Sequence, residues 1–362
     1  MMFDPPVRDS ERLPDGPVPG QRGLRVRAWG ADPVEDELPR PRPEAGEVLV
    51  QVEACGVGLT VLNCINGDLG NDPELLPRVP GHELAGRVVA RGPGVPARLE
   101  GRRVVAYFYL SCESCRWCWA GLHPRCERLA GFVGVHRDGG YAEFVALPAA
   151  NVITVSDELD PVAATVVPDA VATPVHVCGS RAKVVPTDRV VVIGAGGGVG
   201  AHMVQVAGLH GASVAGFDRG DRKLEVIEGL GARPVDSSDF AAVDGGGLWD
   251  AGPPTVVIDL LGTSDSLGWA TANLAPGGRV VVLTTFPDGA GTLSPRELVF
   301  AEASVLGSRY ASKAEVAAAA ELVASGRIRP VIGETTGPDD VLDLHTALRD
   351  GTLTGRGALT WQ

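Results

Sequence analysis

Four cysteines, Cys112, Cys115, Cys118 and Cys126, stand in a C-x2-C-x2-C-x7-C spacing. Thiolates this close in sequence can surround one tetrahedral Zn2+ at about 2.3 Å per sulfur. A complete sulfur shell leaves no open position, so such an ion is structural and no Lewis acid. An iron–sulfur cluster or a pair of disulfides would use the same residues. The spacing and the exposed type of Glu113, Arg116, Trp117, Trp119 and Arg125 favour zinc. A second pattern is Gly194-Ala195-Gly196-Gly197-Gly198-Val199-Gly200, placed directly after the apolar run VVVI. The next apolar run ends at Asp218, 18 residues past Gly200. Such glycines let a backbone turn tightly against a diphosphate, whose charge rests on the amides of the helix that follows. A carboxylate at the end of the second strand accepts hydrogen bonds from ribose hydroxyls and repels a 2′-phosphate. Asp218 therefore favours NAD over NADP, with Arg219 beside it pulling the other way.

The elements that must hold these groups change style along the chain. Residues 1–22 are Pro-rich and polar, which reads as a loose tail. From Leu24 to about Asn151 the runs are short and β-type: EVLVQVE, AGRVVA, RVVAYF and YAEFVAL. From Arg189 onward, uniformly apolar strands (VVVI, SVAGF, TVVIDL, VVVLT) alternate with helical segments. That pattern indicates an α/β fold with a parallel sheet covered on both faces. Weaker strands at Pro234 to Asp236 and Ser304 to Gly307 bring the count to six, and an alanine-rich helix spans Lys313 to Ser325.

Composition removes several function classes. The 362 residues carry 32 Lys+Arg against 45 Asp+Glu, a formal charge of −13, which argues against nucleic-acid binding. With 44% hydrophobic and 21% charged residues the chain is globular. No run approaches the ~20 uninterrupted apolar residues of a membrane span, and the first segment lacks the apolar core of a secretory signal. The expectation is a cytoplasmic protein with no membrane partner.

Pro80-Gly81-His82-Glu83, the four-cysteine lobe, Gly139-Gly140-Tyr141-Ala142-Glu143, the glycine turn with Asp218, and Gly355-Arg356-Gly357 together resemble one family. It is the zinc-containing medium-chain dehydrogenase/reductase family, the alcohol dehydrogenase superfamily, and the likeness runs from about Leu24 to the C-terminus. The resemblance implies a GroES-like, mostly-β catalytic domain from 23–170 and 306–362, with a zinc lobe at about 109–130. It implies a Rossmann, doubly wound NAD-binding domain at 171–305, and a small-molecule substrate in the cleft between the two. It also implies a homo-oligomer, dimer or tetramer. Residue by residue, the resemblance places Thr173 at the nicotinamide and Arg356 at a cofactor phosphate, and Lys223 is within reach of the adenosine ribose.

The same family implies a catalytic zinc held by a Cys, the His of Gly-His-Glu, and a third ligand. His82 and Asp169 match two of these positions, with Glu83 adjacent. The family pattern Cys-Gly-x-Cys-(His/Arg)-(Thr/Ser)-Asp reads here as Cys55-Gly56-Val57-Gly58-Leu59-Thr60-Val61. Gly58 stands at the ligand position, Leu59 replaces a polar residue, and Val61 replaces an Asp that supports the ligand histidine. Thr60 keeps the hydroxyl of the proton relay. The expected function is NAD(H)-dependent hydride transfer at Thr60, His82 and Asp169, with one structural zinc and no standard catalytic zinc. The alternatives are a zinc enzyme using His82, Asp169 and Glu83 with water completing the shell or with Cys55 or Cys64 swinging in, or a dinucleotide-binding protein without catalysis.

Overall fold

The computed structural model describes residues 20–284 and 291–361. Most of the tail expected at 1–22 lies outside them, but residues 20–22 already belong to the strand Gly20–Arg25, which pairs antiparallel with Val34–Pro39.

Six parallel strands build the inner sheet. Their spatial order is Arg233–Asp236, Ser213–Asp218, Arg189–Ile193, Val256–Asp259, Arg279–Val282 and Ser304–Gly307. Numbered along the chain this is 3-2-1-4-5-6, the doubly wound order whose direction reverses beside the first strand. The first strand, RVVVI, has four consecutive buried residues, which follows from helices packing on both faces. Both weaker strands read from the sequence are present. Two expected domain limits fall inside elements: 170/171 lies within the helical stretch Pro161–Arg181, and 305/306 lies within Ser304–Gly307.

The second sheet has seven strands. Along it run Ile332–Thr336, Arg356–Thr360, Glu47–Val57, Glu83–Arg91, Arg103–Ala106 and Val152–Thr154, with Phe144–Pro148 also paired to Glu47–Val57. All pairings are antiparallel except the first. Both chain ends thus contribute to one sheet, because Arg356–Thr360 returns to lie beside Glu47–Val57.

Between the sheets runs Pro161–Arg181, 21 residues of mean hydropathy 1.3, long and apolar enough by length and composition to cross a membrane. Its most apolar window is 72% buried inside the protein, so core packing accounts for that character. The helix is not regular. Pro168 has no N–H to donate, and the ladder widens to a π-turn over Val167–Val171, with Val171 N donating to Val166 O at 2.8 Å. The Pro168 carbonyl is taken by the Tyr310 hydroxyl at 2.6 Å. That widened turn carries Asp169.

Candidate active site

The strand Arg189–Ile193 runs into the glycine turn. Gly194 N and Ala195 N both donate to Phe217 O, at 2.8 and 3.0 Å, which staples the turn to the neighbouring strand. The helix Gly198–Leu209 begins at once. A Cβ at Gly200 would run into Gly194 O and stand 2.7 Å from Ala195 Cα, so only glycine allows helix and strand this close. The amides of Gly198, Val199 and Gly200 have no carbonyl a turn earlier in the helix, and Gly197, Gly198 and Val199 are half-exposed. The result is an anion cradle backed by the helix dipole.

Asp218 ends the adjacent strand. Its Oδ2 accepts from Gly196 N at 2.7 Å, and its Oδ1 accepts from Arg219 N at 2.9 Å, with Lys223 Nζ 3.5 Å away. The Gly196 amide is therefore spent on Asp218. The cradle starts at Gly198. Lys223 lies across Gly196 beside the carboxylate, and the Arg219 side chain is exposed.

A second group gathers where the two sheets meet. Gly355 N donates to Gly196 O at 2.9 Å, which docks the closing segment onto the glycine turn. One residue on, Arg356 is 4% exposed and turns inward. Its Nε donates to Glu83 Oε2 at 2.7 Å, its Nη2 to Glu83 Oε1, and Nη2 also reaches Asp169 Oδ2 at 3.3 Å. Burial opposes the charge on the guanidinium, and the two carboxylates more than reverse that effect. Arg356, expected on a cofactor phosphate, is clasped by Glu83 and Asp169, and its Nη1 turns toward Gly58 and Gly198.

Asp169 Oδ1 accepts the Thr173 hydroxyl at 2.6 Å, so Thr173, expected at the nicotinamide, orients the carboxylate. Burial would raise the Asp169 carboxyl; His82, Arg356 and Thr173 together hold it below the usual range. Its side chain is 13% exposed, against 1% for His82 and 0% for Glu83, which makes Asp169 the member of the cluster that opens outward. His82 Nε2 lies 3.7 Å from Asp169 Oδ2, and neither ring nitrogen has a hydrogen-bond partner. Thr60 sits half-buried in the first turn of the helix Leu59–Asn66, two residues past Gly58.

Ligand atoms of His82, Glu83 and Asp169 all lie within 4.8 Å of one another. No sulfur joins them. Along Glu47–Val57 side chains alternate between faces. A Cβ at Gly56 would meet Glu83, whereas the Cys55 thiol lies on the opposite face, against Gly81 and Gly140. Cys64 faces the core, and burial pushes both thiols far up, away from the thiolate a metal needs.

The four-cysteine lobe is different. Its ligand sulfurs also lie within 4.8 Å of one another, with Cys115 Sγ 3.6 Å and Cys112 Sγ 3.9 Å from Cys118 Sγ. The Ser114 backbone N–H and the Arg128 guanidinium hold Cys112 down to about 5. All four are free thiols in geometry that suits one tetrahedral ion.

Sequence reasoning missed an aromatic wall. Phe108 lies against His82 with ring centroids 4.3 Å apart and stacks on Phe132 at 5.0 Å; Tyr109 stacks on Tyr310 at 5.0 Å. The Arg309 Nε donates to the Tyr109 hydroxyl at 3.0 Å. The signal was available in the run Tyr107-Phe108-Tyr109 just before the first lobe cysteine.

Residues 44–157 match the family described as alcohol dehydrogenase GroES-like domain, and 198–325 match the zinc-binding dehydrogenase family. An alcohol dehydrogenase of Geobacillus stearothermophilus is 31% identical over 329 residues, covering 88% of this chain and 93% of that protein. An acryloyl-coenzyme A reductase of Metallosphaera sedula is 27% identical over 326 residues, covering 90% and 95%. Among solved structures, acetophenone reductase from Geotrichum candidum in complex with NAD superposes with a TM-score of 0.84 at 26% identity, covering 96% and 99%. The GroES-like and Rossmann-type domains implied by the sequence are thus both present, and the chain belongs to the zinc-type medium-chain dehydrogenase/reductase superfamily as one of its dehydrogenase/reductase enzymes.

Proposed function

We propose that the protein transfers hydride between NAD(H) and a small organic substrate held between the sheets, with a structural zinc in the lobe and no catalytic zinc. The observation that carries this reading is the closing segment: Gly355 is bonded to the glycine turn while Arg356 is bonded to Glu83 and Asp169. Nucleotide cradle and polar cluster are neighbours by construction. The nicotinamide nucleotide supplies the hydride when bound. The amides from Gly198 onward suit its diphosphate, Asp218 its ribose, and the relatives that use NAD share the fold over nearly their whole length. Thr60 is the candidate proton relay, and Asp169, set by Thr173 and Arg356, is the polar group facing the reactant.

A catalytic zinc fits poorly. Both Glu83 oxygens are occupied by a guanidinium, the cluster holds no thiolate, and Gly58 offers nothing to a metal. A Lewis acid contributes several kcal/mol to carbonyl polarisation, so its loss favours substrates that need less activation, such as a conjugated C=C or an already polarised ketone. The aromatic wall beside His82 suits an apolar or conjugated substrate body.

The second reading, a zinc enzyme using His82, Glu83 and Asp169, draws on the unpartnered His82 nitrogens. NADH fluorescence titration followed by turnover assays on enones, enoyl thioesters, activated ketones and simple alcohols separates the readings. Tight NADH binding with turnover of conjugated or activated substrates supports the proposal. Simple alcohol oxidation abolished by a chelator supports the zinc enzyme. NADH binding with no turnover of any compound supports a binding protein.

A further inference from the structure

The space at Gly58 is filled. A Cβ built there would fall inside the van der Waals shells of Arg356 Nη1 and Cζ and stand 2.8 Å from Nε. Any side chain at 58, a ligand cysteine included, is incompatible with the guanidinium where it lies. The same guanidinium takes both oxygens of Glu83 and touches Asp169, so it sits among the donors a divalent ion would use.

We propose that Arg356 is the resident cation of the His82, Glu83 and Asp169 cluster, admitted by the missing side chain of Gly58, and that it excludes a divalent metal from this position. The inference deepens the metal-free reading above by naming what replaces the metal and which residue makes room. Three facts converge on it. Two buried carboxylates need a compensating positive charge, and the guanidinium supplies it with paired hydrogen bonds. A second cation in the same dry cavity would meet that charge at hydrogen-bonding distance, with Glu83 already saturated. Gly58 and Gly198 flank Nη1, so glycines line the guanidinium on the strand side and on the nucleotide side. Arg356 does not need to touch the reactant. It is a positioning residue that fixes Glu83 and the Oδ2 side of Asp169 while Thr173 fixes the other oxygen.

The test is Co2+ titration of the full chain with the lobe already loaded with zinc. A site of nitrogen and oxygen donors gives d–d bands without the sulfur charge-transfer bands of a thiolate site. Wild type and Arg356→Lys, which both keep a positive charge, are expected to take up no further tightly held ion. Arg356→Met is expected to bind one more cobalt at least tenfold more tightly than wild type, and adding His82→Ala should abolish that uptake. A merely structural arginine would not produce this split between Lys and Met. A second cobalt held by wild type as tightly as by Arg356→Met overturns the proposal. Should Arg356→Met not fold, Gly58→Ala decides, because its methyl group expels the guanidinium and keeps every donor. Cobalt uptake by Gly58→Ala then supports the proposal, and no uptake overturns it. NADH titration of the same wild-type sample separates this outcome from the functional reading: absent NADH binding ends the hydride-transfer reading whatever the metal count, and NADH binding beside a second metal ends only the resident-cation proposal.

Discussion

The four-cysteine lobe and the His82, Glu83 and Asp169 cluster are both groups of metal-type donors within 4.8 Å, and they have opposite characters. In the lobe, sulfur faces sulfur, and the basic residue nearby, Arg128, approaches Cys112 only from outside at 3.7 Å. In the cluster, the basic residue is inside. On the resident-cation proposal, converging donors alone do not make a metal site. What decides is whether the negative charge has already been neutralised by the chain itself.

Removing the lobe's metal should give the largest effect. Structural zinc contributes on the order of 10 kcal/mol of binding free energy to small sites. Cys115→Ser is expected to lower zinc from one ion per chain to none and to open residues around 109–130 to limited proteolysis, read by mass spectrometry. Wild type stripped with a chelator should show the same cleavages. Zinc retained when Cys112, Cys118 and Cys126 are changed to Ser as well would break the contrast, because the tightly held ion would then belong to the other cluster.

The cluster should respond to charge and not to chelation. Glu83→Gln removes one of the two carboxylate charges facing the buried Arg356 and leaves Asp169, at 3.3 Å, as the other, and breaking one side of a buried pair costs about 3–5 kcal/mol. Denaturant unfolding should show that loss with zinc content unchanged at one per chain. The double variant Glu83→Gln with Arg356→Met should recover part of it, since no unpaired charge remains. A Glu83→Gln protein as stable as wild type would mean that the guanidinium is not held as described.

How far the sequence reached differs between these regions for a physical reason. The lobe was legible because its ligands lie within 15 residues, so spacing alone brings the sulfurs together. The glycine turn and the six parallel strands were legible for the same reason: each is a local pattern of strand, turn and helix. At the cluster, the missing ligand at Gly58 could be read, and so could the lost support at Val61. What fills Gly58 could not. Arg356 lies 273 residues from Glu83 and 187 from Asp169, and nothing local tells an arginine whether it will face a phosphate or a carboxylate. The π-turn that carries Asp169 was hidden too, although Pro168 was in plain view. A proline interrupts a helix, but its ring does not say whether the ladder breaks or widens, nor that the Pro168 carbonyl will be taken by the Tyr310 hydroxyl.

A change outside both regions calibrates them. Asp218→Asn removes a charged acceptor at the nucleotide end without touching either group of donors. It is expected to weaken NADH binding by about 10- to 100-fold, the ~1.5–3 kcal/mol of a hydrogen bond to a charged group. Relative preference for NADPH should rise, since the carboxylate no longer repels a 2′-phosphate. Isothermal calorimetry with both cofactors reads the two effects, and equal affinities in wild type and variant would remove Asp218 from the site.

The smallest expected effect concerns the tie between the two regions. Glu315 accepts from His176 at 3.0 Å and from Ser180 at 2.6 Å on the helical stretch that carries Asp169. It also caps its own helix, Lys313–Ala324, whose first residue pairs with Glu113 of the lobe at 2.8 Å. Burial would raise its carboxyl, but His176, Ser180 and Ser312 hold it down to about 2, from an ordinary 4.5. A carboxyl depressed in the folded state stabilises fully above its unfolded value and loses that contribution as pH falls toward the folded one. With partial solvent screening the contribution is about 1–2 kcal/mol. Urea unfolding of wild type and Glu315→Gln should differ by a constant amount above about pH 5, and the gap should close between pH 4.5 and 2. A gap that stays constant down to pH 2 would mean that helix capping by the uncharged form is all Glu315 contributes, and that lobe and cluster are joined by packing alone.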